Sequence, residues 1–341
     1  MLSSTIDNLI DILKPRQQEV LRGRFGLSGE RQTLASLGEN YDITRERTRQ
    51  IETDGLKALA EGFNKTKDIK KSLDLINKYL GDLGGARKDD IFLQELKNLL
   101  EDKSMKVGHL QLLSKSLGQP LYYPEDHHYH YFWYLGKNHL KVLGRFIDNL
   151  ERLISNRKED LINNRNFDIY LIKVLKLHSL SDFIGANYIS LSKKFKVNPF
   201  GIMGLNSWEE INPKTIRSRA YIVSKVHKKP LHFRDITKLI NEVGFDERTA
   251  YPQTVHNELI KDKRFVLVGR GIYALKETGF QEGTTSSLIK QTLKKRGPLS
   301  LREITDEILR QRILKDNTIL FNIQNNKKYF KKLADGRYAL R

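Results

Sequence analysis

Residues 43–52 read ITRERTRQIE, and this stretch constrains the fold more than any other. Thr44 is placed to cap a helix, with Arg45, Glu46, Arg49 and Gln50 in its first two turns. Two guanidiniums, a carboxylate and an amide at a helix N-terminus match the donor and acceptor code of base edges in the DNA major groove. Upstream, Thr33 opens a short run with Leu34, Leu37 and Tyr41 at helical spacing. Asn40 to Ile43 then form a tight connection in which Asp42 tolerates a left-handed backbone. Helix, short turn and a second helix with polar N-terminal residues is the helix-turn-helix pattern. An ordinary amphipathic helix with a solvated charged face fits the same spacing.

Residues 13–59 read LKPRQQEVLRGRFGLSGERQTLASLGENYDITRERTRQIETDGLKAL. The whole stretch closely resembles region 4 of the sigma-70 family, the primary bacterial sigma factors. The resemblance implies a domain that reads the upstream promoter hexamer and docks on the flap of the RNA polymerase beta subunit. It implies base contacts by Arg45, Glu46 and Gln50, and phosphate contacts or help with readout by Thr44, Arg47 and Arg49. Together with the spacing, base readout falls to Arg45, Glu46, Arg49 and Gln50, and phosphate contact to Thr33, Thr44 and Arg47.

Three departures from that family stand out. Thr48 replaces a usually buried isoleucine. Gly55 replaces a good helix former, at a cost of about 1 kcal/mol in a helix interior. The usual basic tail is Ala60, Glu61, Gly62 and Phe63 here, which bears on the DNA affinity of this module alone.

The formal net charge of +19 is unevenly spread. Residues 1–63 hold 9 Lys/Arg and 10 Asp/Glu, whereas residues 213–341 hold 28 and 13. A long-range positive field attracts polyanions, and double-stranded DNA is the partner it points to. A solvated basic surface or an acidic protein partner such as polymerase remains the alternative.

That basic third contains a repeat. RAYIVSKVHKKPLHFRDITKLI and TVHNELIKDKRFVLVGRGIYAL recur as SSLIKQTLKKRGPLSLREITDEIL and TILFNIQNNKKYFKKLADGRYAL. Pro230-Leu231 matches Pro298-Leu299, and Gly271, Tyr273, Ala274 and Leu275 match Gly336, Tyr338, Ala339 and Leu340. Shared anchors in one order indicate duplication. Each copy reads as three helices and a short hairpin, a winged helix. The PLHFRDI and RFVLVGRGIYAL stretches resemble the HARE-HTH family, which includes the delta subunit of Gram-positive RNA polymerase. Phosphate contact is assigned to Lys228, Lys229, Lys261, Lys263, Arg264 and Arg270 in the first copy. In the second copy it is assigned to Lys294, Lys295, Arg296, Lys327, Lys328 and Arg337. Tyr273 and Tyr338 alternate with apolar strand positions and are expected in the core.

Between these ends, residues 121–135, LYYPEDHHYHYFWYL, suggest a hairpin or edge strand, with His128 and His130 on one strand face. Residues 137–160 form a long amphipathic helix, with Leu140, Leu143, Phe146, Leu150 and Leu153 on one stripe. Asn198 to Pro213 reads as an ordered connector.

The chain has no cysteine and no run near 18 apolar residues, so neither disulfides nor a membrane span are expected. No phosphate loop, dinucleotide fingerprint or HExxH motif is present, and no enzyme activity, cofactor, metal or small-molecule ligand is expected. The expected class is mainly α: a helix-turn-helix domain plus tandem winged-helix domains with small β-hairpins. Expected domains are a sigma region 4-like module at 1–63 and a diverged winged helix at 64–136. A helical connector at 137–212 and winged helices at 213–280 and 284–341 follow. The expected function is a cytoplasmic, nucleoid-associated DNA-binding transcription regulator acting with RNA polymerase. A delta-like polymerase accessory protein is the alternative, and a DNA-processing or defence protein the weaker one.

Overall fold

The computed structural model describes residues 1–341 as two compact units. The first comprises Met1–Lys196 and Met203–Asn206, the second Val197–Ile202 and Ser207–Arg341. The protein is mainly helical, with seventeen α-helices and short antiparallel strands.

The first unit opens with α1 (Leu2–Asp11), α2 (Pro15–Arg24), α3 (Leu34–Glu39) and α4 (Arg45–Lys65). Arg22 ties α2 to α1 through Asp7 at 3.0 Å and Asp11 at 2.8 Å. The α3–α4 turn forms as its residues dictate. Thr33 Oγ1 accepts from the Ser36 N–H, Thr44 Oγ1 accepts from the Arg47 N–H, and Asp42 takes φ +53°. Val20, Leu37 and Ile51 form the small core beneath that turn. Gly38 lets it close: a Cβ there would fall 2.6 Å from the Ile43 carbonyl oxygen. Gly55 serves α2 similarly, since a Cβ would lie 3.0 Å from Leu21 Cδ1.

The core does not stop at the expected boundary after residue 63. At 21 residues, α4 outruns the helix-turn-helix, and its far half must bury Leu59 and Phe63 elsewhere. They join one cluster with Ile69, Ile76, Leu80, Phe92, Leu110, Leu113 and Trp133. Those residues come from α5 (Lys67–Asp82), α6 (Asp89–Leu99), α7 (Val107–Leu117) and β3 (Phe132–Tyr134); β1 (Ala86–Lys88) and β2 (Leu121–Tyr123) flank β3. The expected hairpin forms, β2 pairing antiparallel with β3, and in the sheet order β1-β3-β2 strand β3 is central. His128 and His130 lie in the β2–β3 connection and not on a strand face.

The expected connector at 137–212 is in large part packed structure. Its helices are α8 (Lys137–Ser155), α9 (Lys158–Asn164), α10 (Phe167–His178) and α11 (Asp182–Leu191). Leu143, Phe146, Ile147 and Leu150 of α8 are fully buried, as an apolar stripe of that length requires. Asn187 of α11 donates to the Leu83 and Ala86 carbonyls at 2.8 and 2.6 Å, which fastens α11 beside β1. Short strands β4 (Phe195–Val197) and β5 (Met203–Leu205) follow.

In the second unit, the buried Asn198 organises its loop, accepting from Phe200 and Ile202 N–H and donating to the Glu210 carbonyl. The first repeat is α12 (Ile216–His227), β6 (Leu231–His232), α13 (Phe233–Val243), α14 (Pro252–Lys261), β7 (Phe265–Gly269) and β8 (Ile272–Leu275). Its sheet order, β6-β8-β7, has the same topology as β1-β3-β2. The second repeat is α15 (Thr285–Arg296), α16 (Leu301–Leu309), α17 (Asp316–Asn325), β9 (Phe330–Lys332) and β10 (Tyr338–Leu340). There the first strand shrinks to a single Leu299–Tyr338 bridge, matching the Leu231–Tyr273 pair of the first repeat. Tyr273 is buried, and Tyr338 packs half-buried on its repeat's core.

Gly38→Ala is expected to destabilise the first unit by about 1–3 kcal/mol, read by thermal or urea unfolding, because the added methyl meets backbone. His109 gives a pH dependence. Its ring is buried, Nδ1 accepts from the Lys106 N–H at 2.9 Å, and Nε2 lies 3.6 Å from Asp7. Burial pushes its pKa down, with Asp7 opposing. The unfolded chain therefore takes up the proton first, and stability falls as pH drops below the ordinary histidine value of about 6.5. Unfolding measured between pH 7 and 5 should show a shallower slope for His109→Gln than for the parent.

Candidate nucleic-acid interface

The N-terminus of α4 presents its polar residues to solvent. Thr33, Thr44, Arg45, Glu46, Arg47, Arg49 and Gln50 are all exposed, while Thr48 turns inward and is fully buried. Thr48 satisfies its hydroxyl by donating to the Thr44 carbonyl at 3.2 Å. That accounts for a polar residue in a position that otherwise holds an apolar one.

The head is organised before any ligand arrives. Arg49 bridges Glu46 with two hydrogen bonds, 2.9 and 2.7 Å, and holds that carboxyl below the usual carboxylate range. Arg47 donates to Gln50 Oε1 at 3.0 Å. Arg45 takes part in neither pair. The result is an exposed patch with guanidinium donors and a carboxylate acceptor fixed by neighbours one turn away. Such groups suit base edges and phosphates.

The basic residues of the second unit divide into two kinds. Lys228 caps α12 with φ +53°, and Lys229 follows it, both exposed. Lys263 and Arg270 are exposed, and Lys261 lies 3.6 Å from Glu258. Arg264 differs. It pairs with the buried Asp262 at 2.7 Å and with Glu209, and lies 4.0 Å over the Tyr221 ring. The guanidinium expected at a phosphate is thus engaged within the fold, holding β7 to α12 and the preceding loop.

In the second repeat, Lys294 and Lys295 end α15 exposed, and Arg296 reaches Glu307 at 3.2 Å. Lys327 and Lys328 follow α17, and Arg337 pairs with Asp335 at 2.6 Å. Sequence reasoning missed Lys290 and Tyr329. Lys290 Nζ sits 2.9 Å from the Tyr329 ring centroid and Lys328 at 4.8 Å on the same ring. Thirty-nine positions separate Lys290 from Tyr329, and no local spacing signals their meeting.

The two hairpins are not equivalent. The Ile313 N–H donates to the Val268 carbonyl at 2.7 Å, so β7 is covered by the second repeat. Arg312, buried beside it, donates to the Gln281 and Gly283 carbonyls and pins the connection between repeats. The β9–β10 hairpin carries Lys331 and Lys332 in the open.

Residues 9–61 match the family model for Sigma-70, region 4, and the N-terminal helix-turn-helix is a sigma-70 region 4. RNA polymerase sigma factor SigA of Microcystis aeruginosa is 43% identical over 60 residues, 17% of this chain and 14% of its own. SigA of Clostridium acetobutylicum is 40% identical over 75 residues, 22% of this chain and 20% of its own. The chloroplastic sigma factor sigF of Arabidopsis thaliana is 32% identical over 65 residues, 19% and 12% respectively. The chain thus spans no more than a fifth of the length of these relatives. No helix is long and apolar enough to cross a membrane.

The two classes of arginine give a test. Arg264→Ala should lower the thermal stability of the second unit and leave the salt dependence of DNA binding unchanged. Arg270→Ala should leave stability unchanged and reduce the salt slope by about 1.

Proposed function

We propose that this protein is a non-enzymatic DNA-binding transcription regulator that acts with bacterial RNA polymerase. Its region 4 reads promoter DNA through Arg45, Glu46, Arg49 and Gln50, with Thr33, Thr44 and Arg47 on phosphates. The basic repeats at 213–280 and 284–341 act as winged helices, HARE-HTH-like in the first copy, and grip DNA without reading it. The observation that carries this reading is the exposed, prearranged head on α4, whose backing residues Leu59 and Phe63 are buried within the chain itself. The similarity of residues 9–61 to sigma factors supports a link to polymerase, and by that family likeness the beta flap is the docking point.

A sequence-specific head and a general grip make different demands. Base contacts give discrimination of about 1–3 kcal/mol per good bidentate pair. Phosphate contacts give salt-dependent affinity and little choice. The lysines Lys228, Lys229, Lys294, Lys295, Lys327 and Lys328 supply the second kind, since ammonium groups on flexible stems serve as point charges.

The test uses the full chain against a pool of random duplexes. The parent should enrich one motif. Arg45→Ala and Gln50→Ala should each lose that motif yet keep general affinity to within a few-fold, while Lys327→Gln/Lys328→Gln should weaken all duplexes alike and flatten the salt slope by about 2. If the head variants leave DNA preference intact but abolish polymerase binding, the delta-like accessory reading replaces this one.

A further inference from the structure

A cleft of about 540 Å³ lies between α8 and α10, apart from the region 4 head. Leu153, Val174 and Leu177 give it an apolar floor, and Arg152, Arg157 and Lys173 stand around it. Leu177 is 70% exposed, so this large apolar side chain is left uncovered by the fold. The neighbouring carboxylates are occupied elsewhere. Asp148 and Glu151 are held by Lys194 at 2.9 and 2.7 Å, and Asp160 by Asn164, Asn166 and Tyr170. Arg152 and Lys173 bridge none of these acids, and Lys173 Nζ lies instead 5.5 Å from the Tyr170 ring centroid.

Apolar floor and cationic rim together select the ligand. A purely apolar molecule would desolvate the cations without compensation. A small inorganic anion would leave Leu153 and Leu177 in water. The volume falls within the range of roughly 300–1,000 Å³ usual for small-molecule sites. We propose that the α8–α10 cleft binds an amphipathic organic anion, with an acyl or aryl body on Leu153, Val174 and Leu177 and its carboxylate or sulfonate between Arg152 and Lys173. This site does not depend on the DNA-reading proposal.

Sodium decanoate is the probe, titrated into the full chain labelled at Leu and Val methyl groups. The Leu153, Val174 and Leu177 methyl signals should shift saturably. Decanol, of equal length and uncharged, should bind at least about tenfold more weakly, the worth of one retained charge-assisted contact. The exposed pair Arg152→Glu/Lys173→Glu should weaken decanoate to a similar degree, whereas Lys290→Glu in the second unit should not. The proposal is overturned by any of four results: no saturable shift at these methyls, equal affinity for decanol, an equal effect of Lys290→Glu, or shifts produced by an acidic helical peptide but not by decanoate.

Discussion

Leu59 and Phe63 fix the direction of α4. Both are buried on the far half of α4, among side chains of α5 and α7. The burial of each contributes about 1.5–3 kcal/mol. Because α4 is one continuous helix, that anchorage sets where Arg45, Glu46, Arg49 and Gln50 point, about two and a half to five turns away. The α3–α4 turn adds the second constraint, through Gly38 beneath Ile43 and the caps at Thr33 and Thr44. A polar head can then be exposed without fraying, since the cost of ordering it is borne by a core to which it does not belong.

Net charge overstates the positive surface of the second unit. Several of its arginines serve the fold: Arg219 is 5% exposed and pairs with Asp246, Arg264 pairs with Asp262 and Glu209, and Arg312 is buried against carbonyls. The planar guanidinium suits such forked contacts, while an ammonium does not. The lysines at the ends of α12, α15 and α17 are left to the solvent. The field that a polyanion meets is therefore written mainly in lysine. The Ile313 hydrogen bond to the edge of β7 also makes the two repeats different in structure, although their sequences look alike.

What the sequence disclosed was local. Thr33, Thr44 and Asp42 were legible because caps and left-handed turns depend on a residue and its immediate neighbours. The helix-rich class and the hairpin at 265–275 were legible from periodicity and glycine placement. What escaped depends on contacts far along the chain. Gly55 looked like a defect until Leu21 was seen against it. Arg264 pairs with Asp262 two positions away, but its other partners, Glu209 and the Tyr221 ring, lie 55 and 43 positions away. The expected limit after residue 63 follows the extent of the region 4-like module, but a helix crosses that point and carries the core with it. His128 and His130, expected on one strand face, fall in a connection, because the aromatic strand begins only at Phe132.

The central claim is that the N-terminus of α4 meets DNA bases while the rest of the protein holds it there. A photocrosslinking residue placed at position 45 of the full chain, in the presence of both promoter DNA and RNA polymerase, tests it most directly. The account predicts crosslinks to bases of the duplex, lost on competition with the same unlabelled sequence. Crosslinks confined to polymerase subunits, with none to DNA, would contradict it.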